Sequence, residues 1–208
     1  LSRNAIIDKS YRWTFPIPLV LDISLDLNAK GVITKALEQF RLKSCVDFKV
    51  RDTESHYITL IKDSGCYSSV GYTHKADQPV SIGDRCDSID TVEHELLHAL
   101  GFWHEQSRPD RDSHIDIVWD NIKTGMEHNF QKMDLTEATT QDFKYDYKSV
   151  MHYDKDAFSN GLGNTMITRL PEFQDIIGQR QEMSPSDVLE LNLLYGCSKR
   201  YLLQQRNR

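Results

Sequence analysis

Residues 91–112 read TVEHELLHALGFWHEQSRPDRD, and three histidines and a glycine in this stretch set the architecture around them. His94 and His98 stand four apart, so on a helix both imidazoles leave the same face, as two ligands of one metal ion must. Val92, Leu96, Leu97, Ala99 and Leu100 supply an apolar side for that helix. Glu95 follows the first histidine and lies about 100° further around the helix, at about 3.6 residues per turn. It can reach a water on the ion without being a ligand. A third histidine six residues beyond His98 cannot share that face if the helix continues. Gly101 resolves this, because glycine enters the left-handed conformation that ends a helix without steric cost. His104 is then expected to return toward the same ion. Neutral imidazoles and an absence of redox demand point to zinc. Three protein ligands leave a coordination position open, the pattern of a catalytic site rather than a structural one. A structural metal module would want a fourth strong ligand, and none follows at suitable spacing.

The flanks read as short elements. Ile17 to Leu25 is predicted as an outer strand because it carries a proline, and Asn28 to Lys43 as a helix capped by Asn28. Val32, Ile33, Ala36, Leu37 and Phe40 form its apolar stripe. Strands are expected at 46–50, 57–61, 66–70 and 79–82, bounded by turn signals. From about 104 to 180 the chain is polar and rich in Asp, Asn, Gly and Tyr, with little periodicity. Ser184 then caps a last helix with Pro185 in its first turn, Val188, Leu191, Leu194 and Tyr195 facing inward and Gly196 ending it. His56, His74, His114 and His128 lie in polar stretches without partners and are read as exposed.

Composition excludes several partner classes. The formal net charge is −6 over 208 residues and no Lys/Arg run is present, so nucleic acid is not an expected partner. No stretch reaches the roughly 20 apolar residues of a membrane span. Four cysteines, Cys45, Cys66, Cys86 and Cys197, form no CxxC pair; an even, widely spaced set suits two disulfides and an oxidising compartment. Three pairings remain open from the residues alone.

HExxHxxGxxH is the metzincin signature. Here it continues with Glu105, Arg108, Asp110, Arg111 and Asp112, and Ser149-Val150-Met151-His152-Tyr153 stands downstream. Other metzincins carry Asp, Ser or Pro after the third histidine, so the sequence resembles the astacin family of secreted zinc endopeptidases. The resemblance runs from about Asn4 to Cys197. RWTFPIP, LNAKGVI, RLKSCVDF, HALGFWHEQSR, PEFQDIIGQR and LNLLYGC are most similar to the meprin branch of that family.

The resemblance implies an α+β, zincin-like fold. A twisted, mostly parallel five-stranded sheet with two helices would form an N-terminal subdomain, about 4–101. An active-site cleft and a largely irregular C-terminal subdomain with a terminal helix, about 102–197, would follow, and 198–208 would be a tail or linker. It assigns one zinc ion per chain to His94, His98 and His104, with Glu95 as general acid/base. Met151 would be the apolar floor under the imidazoles. Tyr153 would be a further zinc ligand at rest and an oxyanion donor during turnover. It pairs Cys45 with Cys197 and Cys66 with Cys86.

Leu1 to Arg3 would be a pro-segment remnant removed by a trypsin-like protease, after which the amino group of Asn4 would be buried beside Glu105. Protein or peptide substrates would add a strand along the edge at Cys66, Tyr67 and Ser68. Arg180 would favour acidic side chains just after the scissile bond, with Met126 where a second basic contact is expected. Location outside the cell or on its outer face is implied, and any membrane or oligomer contact would come from domains not in this sequence. A catalytically silent binding homologue is the alternative, disfavoured because every catalytic position is intact.

Overall fold

In the computed structural model, residues 5–134, 138–139 and 143–197 are described. Asn4, and with it the expected pro-segment remnant 1–3 and the tail 198–208, lies outside the described residues. In chain order the strands are β1 (Ala5–Ile6), β2 (Ile17–Leu21), β3 (Phe48–Val50), β4 (Tyr57–Ile61), β5 (Cys66–Ser68), β6 (Asp77–Ile82), β7 (Ile115–Ile117), β8 (Ala138–Thr139) and β9 (Met166–Thr168). The α-helices are α1 (Leu27–Lys43), α2 (Ile89–Ala99) and α3 (Pro185–Leu194). They fall into two compact units, one of residues 8–102 with the segment from 181, the other of residues up to 7 with 103–180.

The first unit holds the five-stranded sheet, ordered β3-β2-β4-β6-β5. The first four strands are parallel and β5 runs antiparallel at the edge. Buried Ile17, Leu19, Ile58, Leu60, Val80 and Ile82 make the strands the core, as parallel sheets covered by helices require. Helix α1 buries Ala29, Ile33, Ala36 and Phe40 and packs on α2. Its cap differs from the sequence expectation. Asp26, not Asn28, is the N-cap and accepts from the Ala29 N–H at 2.9 Å, while Asn28 sits inside the helix and its side-chain amide donates to Asp87. Both residues can cap, and the Asp26-Leu27 step is the one at which the chain turns helical.

The strand expected to be outer and to run to Leu25 is neither. β2 lies between β3 and β4, its pairing with β4 beginning at Leu19, one residue past Pro18, so the proline is accommodated inside the sheet. It ends at Leu21, where the Asp22 carboxylate accepts from the Ser24 N–H and turns the chain. The outer strands are likewise shorter than expected, β3 beginning at Phe48 and β5 ending at Ser68.

Helix α3, grouped by sequence with the irregular half, belongs to the sheet unit. Ser184 and Asp187 form a reciprocal capping box at its start, and Gly196 ends it at φ +64°. Arg12 donates to the Leu194 carbonyl and Asn192 to that of Lys43. Cys45 is bonded to Cys197 across 152 residues and Cys66 to Cys86 across 20. By loop-closure entropy such links stabilise by about 5 and about 3 kcal/mol. The second link fixes the edge strand β5 to the loop before α2.

In the second unit β1 pairs with β8 and β7 with β9, both antiparallel. Its core gathers Ile115, Ile122, Phe130, Tyr145, Tyr147, Met166 and Ile177. Arg108 is completely buried within this unit. It donates twice to the Asp110 carboxylate, and also to Glu105 and to the Phe143 and Lys144 carbonyls. A buried guanidinium is tolerable only when so fully paired. Arg111 likewise donates to the Gln106 and Phe130 carbonyls. The RPDRD run is therefore the frame of a segment that has little regular structure.

Helix α2 is buried nearly all round, polar residues included. Glu93 is among them; one carboxylate oxygen accepts from the Met183 N–H at 2.7 Å, and burial pushes its pKa from 4.5 up to about 7. Folding thus favours the protonated form, so its contribution is fully present below pH 4.5 and is lost as pH rises through about 7. Glu93→Gln is expected to gain urea stability over the parent progressively across that window and to hold a constant advantage above it. A difference independent of pH would contradict this account.

Candidate metal centre

The site begins with how α2 ends. Gly101 adopts φ +103°. The Gly101 N–H donates to the His98 carbonyl at 2.8 Å and the Phe102 N–H to that of Leu97 at 3.0 Å. These two bonds make a Schellman motif, with Leu97 and Phe102 both buried as its apolar pair. The remaining carbonyls of the helix end are met from distant sequence. Trp13 Nε1 donates to Ala99, Tyr195 Oη to Leu100, and the Gly71 N–H to His98. The helix therefore stops at one residue and cannot slide, since each orphan carbonyl has an assigned donor.

The Schellman turn also sets a ligand ring. The Phe102 carbonyl lies 2.7 Å from His98 Nδ1, and a carbonyl can only accept, so Nδ1 carries the proton and Nε2 is the ligand atom. Burial drives the His98 pKa down to about 4, so the ring is neutral near physiological pH, as a ligand must be. His94 lies one turn earlier, its ring 4.7 Å from that of His98 and nearly perpendicular. After Gly101 the chain brings in His104, and the ligand atoms of His94, His98 and His104 all lie within 4.8 Å of one another. Three imidazole nitrogen donors at that spacing fit a zinc ion with an open position. Glu95 is buried on the same helix, between the two ligand turns.

Downstream, the Met151 side chain is buried and its carbonyl accepts from the Glu105 N–H at 3.0 Å. The Tyr153 ring stands 4.3 Å from that of His104 at a tilt of 52° and packs on Phe130 and Phe158 behind it. Glu105 is buried and accepts from the Asp146 N–H and from Arg108.

Arg180 is exposed, but its loop is tied down. Gln179 donates to the Lys148 carbonyl at 2.8 Å, and Gly178 lies so close to Asp154 that a Cβ would stand 2.3 Å from its Cα. Met126 is exposed in a turn of the same unit. On β5, Cys66 and Tyr67 are exposed and Ser68 half-buried, at the open edge of the sheet; the Tyr67 hydroxyl donates to Asp63 at 2.8 Å.

Of the histidines read as exposed, His74 and His128 are so. His56 is half-buried and bonded to the Lys75 carbonyl. His114 is half-buried too, its ring stacked on Tyr145 at 4.6 Å. The partner is aromatic and lies 31 residues on, so polarity of the local stretch gave no sign of it. Sequence reading also passed over Gln106 and His152, both fully buried around Tyr153. An uncharged amide beside a ligand motif and a histidine without metal spacing carry no pattern of their own.

Comparison with known proteins places the chain. Residues 5–196 match the family model Astacin, a peptidase family. Meprin A subunit beta of Rattus norvegicus is 55% identical over 94% of this chain and 28% of its own length. Meprin A subunit alpha of the same species is 50% identical over 97% of this chain and 27% of its own. The solved structure of high choriolytic enzyme 1, a hatching enzyme zinc-protease from Oryzias latipes, superposes with a TM-score of 0.86 at 35% identity. That match covers 93% of this chain and all of the other. The chain belongs to the astacin family, and it spans under a third of the length of the meprins it matches.

Substituting Gly101 tests the turn directly. Gly101→Ala forces a side chain into the left-handed region at a cost of about 1–2 kcal/mol. Zinc affinity is expected to fall with stability, because the Phe102 carbonyl that orients His98 moves with the turn. Unchanged zinc affinity in a destabilised Gly101→Ala protein would separate the turn from the site.

Proposed function

We propose that this chain is the catalytic unit of a secreted zinc endopeptidase that hydrolyses peptide bonds and favours an acidic residue just after the scissile bond. The observation that carries the reading is the three-imidazole cluster with Glu95 buried on the same helix. When bound there, zinc supplies Lewis acidity, which polarises a carbonyl and makes water acidic enough to lose a proton near neutral pH. Glu95 accepts that proton and delivers it to the leaving amine, a transfer that one carboxylate can serve in both directions. Tyr153 would be a further ligand of the ion as its phenolate when no substrate is present. On leaving the ion it would take up a proton from solvent, and the phenol would then donate to the oxyanion that develops on the scissile carbonyl. The exposed edge at Cys66, Tyr67 and Ser68 offers main-chain groups to an extended substrate. Burial of a new amino group at Asn4 near Glu105 would complete a zymogen switch after cleavage at Arg3; Ala5 is already fully buried. Two disulfides suit an oxidising, extracellular setting.

Glu95→Gln separates chemistry from metal binding, since all three ligands remain. Peptide hydrolysis is expected to drop about 10²–10⁴-fold while zinc content stays at one per chain. Retained hydrolysis would remove Glu95 from the proton transfer.

Arg180 presents a guanidinium that can pair bidentately with Asp or Glu. With methionine at 126 in place of a second cation, the acidic preference is expected to be partial. In a peptide-library cleavage profile, Arg180→Ala should flatten the preference for Asp and Glu after the cut while leaving other positions unchanged. A profile identical to that of the parent protein would exclude Arg180 from specificity.

A further inference from the structure

Both main-chain polar groups of Tyr153 are held by buried side chains. Its N–H donates to Gln106 Oε1 at 3.1 Å. Its carbonyl accepts from His152 Nδ1 at 2.7 Å. Gln106 and His152 are each 0% exposed. The chain at 153 belongs to no strand or helix, so these groups have no ladder to satisfy them, and burial requires that something does.

The main chain at Gln106 and the ring of His152 are themselves held. The Gln106 carbonyl accepts from Arg111 at 3.0 Å, and the preceding Glu105 N–H donates to the Met151 carbonyl at 3.0 Å. Residues 105–106 therefore run alongside 151–153, and the segment that carries His104 is tied to the segment that carries Tyr153. The His152 ring has a single arrangement. A carbonyl cannot donate, so Nδ1 bears the proton and Nε2 is bare, and the Tyr145 hydroxyl, 2.7 Å from Nε2, is the donor to it. Immediately after Tyr153, the bare Cα of Gly178 backs onto Asp154 and blocks movement on that side.

We propose that Gln106 and His152 are positioning residues that fix the backbone of Tyr153, so that its phenol stands beside His104 and returns to the ion after each turnover. A ring that must leave and come back needs a fixed hinge, and preorganisation of its backbone supplies one. The proposal rests on the role given to Tyr153 above.

The test follows tyrosinate absorption when zinc is added to metal-free protein, together with zinc stoichiometry, kcat and KM. Tyr153→Phe sets the blank. Gln106→Leu and His152→Leu keep volume and remove the bond to Tyr153. His152→Asn keeps a donor near the position of Nδ1 and removes the contact with Tyr145.

The expected result is a tyrosinate signal in the parent protein that is absent from Tyr153→Phe, Gln106→Leu and His152→Leu, all still binding one zinc, and largely restored in His152→Asn. In the two Leu variants kcat should fall about tenfold at little changed KM, the split left by losing an interaction made mainly in the transition state. A parent signal no larger than the Tyr153→Phe blank would end the ligand role of Tyr153 itself. A signal retained in both Leu variants would overturn the positioning role while leaving Tyr153 in place. Loss of zinc from both Leu variants would also overturn it by assigning both residues to folding alone, and failure of His152→Asn alongside His152→Leu would overturn it for His152.

Discussion

The metal centre depends on the closed C-terminal end of α2. A helix leaves its last carbonyls without internal partners, and a buried helix end must find donors for them. Here the donors come from Gly101 and Phe102 in the turn and from Trp13, Gly71 and Tyr195 elsewhere in the unit. These bonds stop the helix at one residue. That fixed stop aims the Phe102 carbonyl at His98 and starts the chain toward His104. The Cys45–Cys197 bond and the capped α3 hold Tyr195, one of the donors, in reach. Much of the scaffold of the first unit serves that helix end.

The second unit solves a different problem. It has few regular elements to absorb main-chain polar groups, so buried side chains absorb them. Arg108 and Arg111 supply donors to carbonyls of loops far apart in sequence, and Asp110, Glu105 and Asp112 balance their charge. Gln106 and His152 do the same for Tyr153 without charge. Such a network is rigid only while it is complete, which accounts for the density of polar residues in a stretch that shows almost no hydrophobic period.

What could be read from sequence follows from these two solutions. Period and spacing are local, so the two-histidine face of α2, its glycine stop and the third histidine were legible, as were the stripe of α1 and the cap of α3. The resemblance to a known family then suggested roles that spacing could not, among them those proposed for Met151 and Tyr153. Where two neighbouring residues could do one task, sequence could not choose, and Asp26 rather than Asn28 caps α1. Beyond the two disulfides that the resemblance supplied, partnerships across distance were not legible. His114 stacked on Tyr145, Gln106 bonded to Tyr153, and α3 packed in the sheet unit each depend on a residue remote in the chain.

The proposed activity requires one zinc ion, held by His94 and His98 on α2 and by His104 beyond its glycine stop. That requirement is tested most directly by stripping the protein of metal and titrating zinc back while measuring both bound zinc and the rate of cleavage of a quenched peptide. Metal-free protein that is still folded should give no cleavage, and the rate should rise in proportion to bound zinc and level off at one ion per chain. Cleavage that persists without metal, or a full complement of zinc with no cleavage by correctly processed protein, would contradict it.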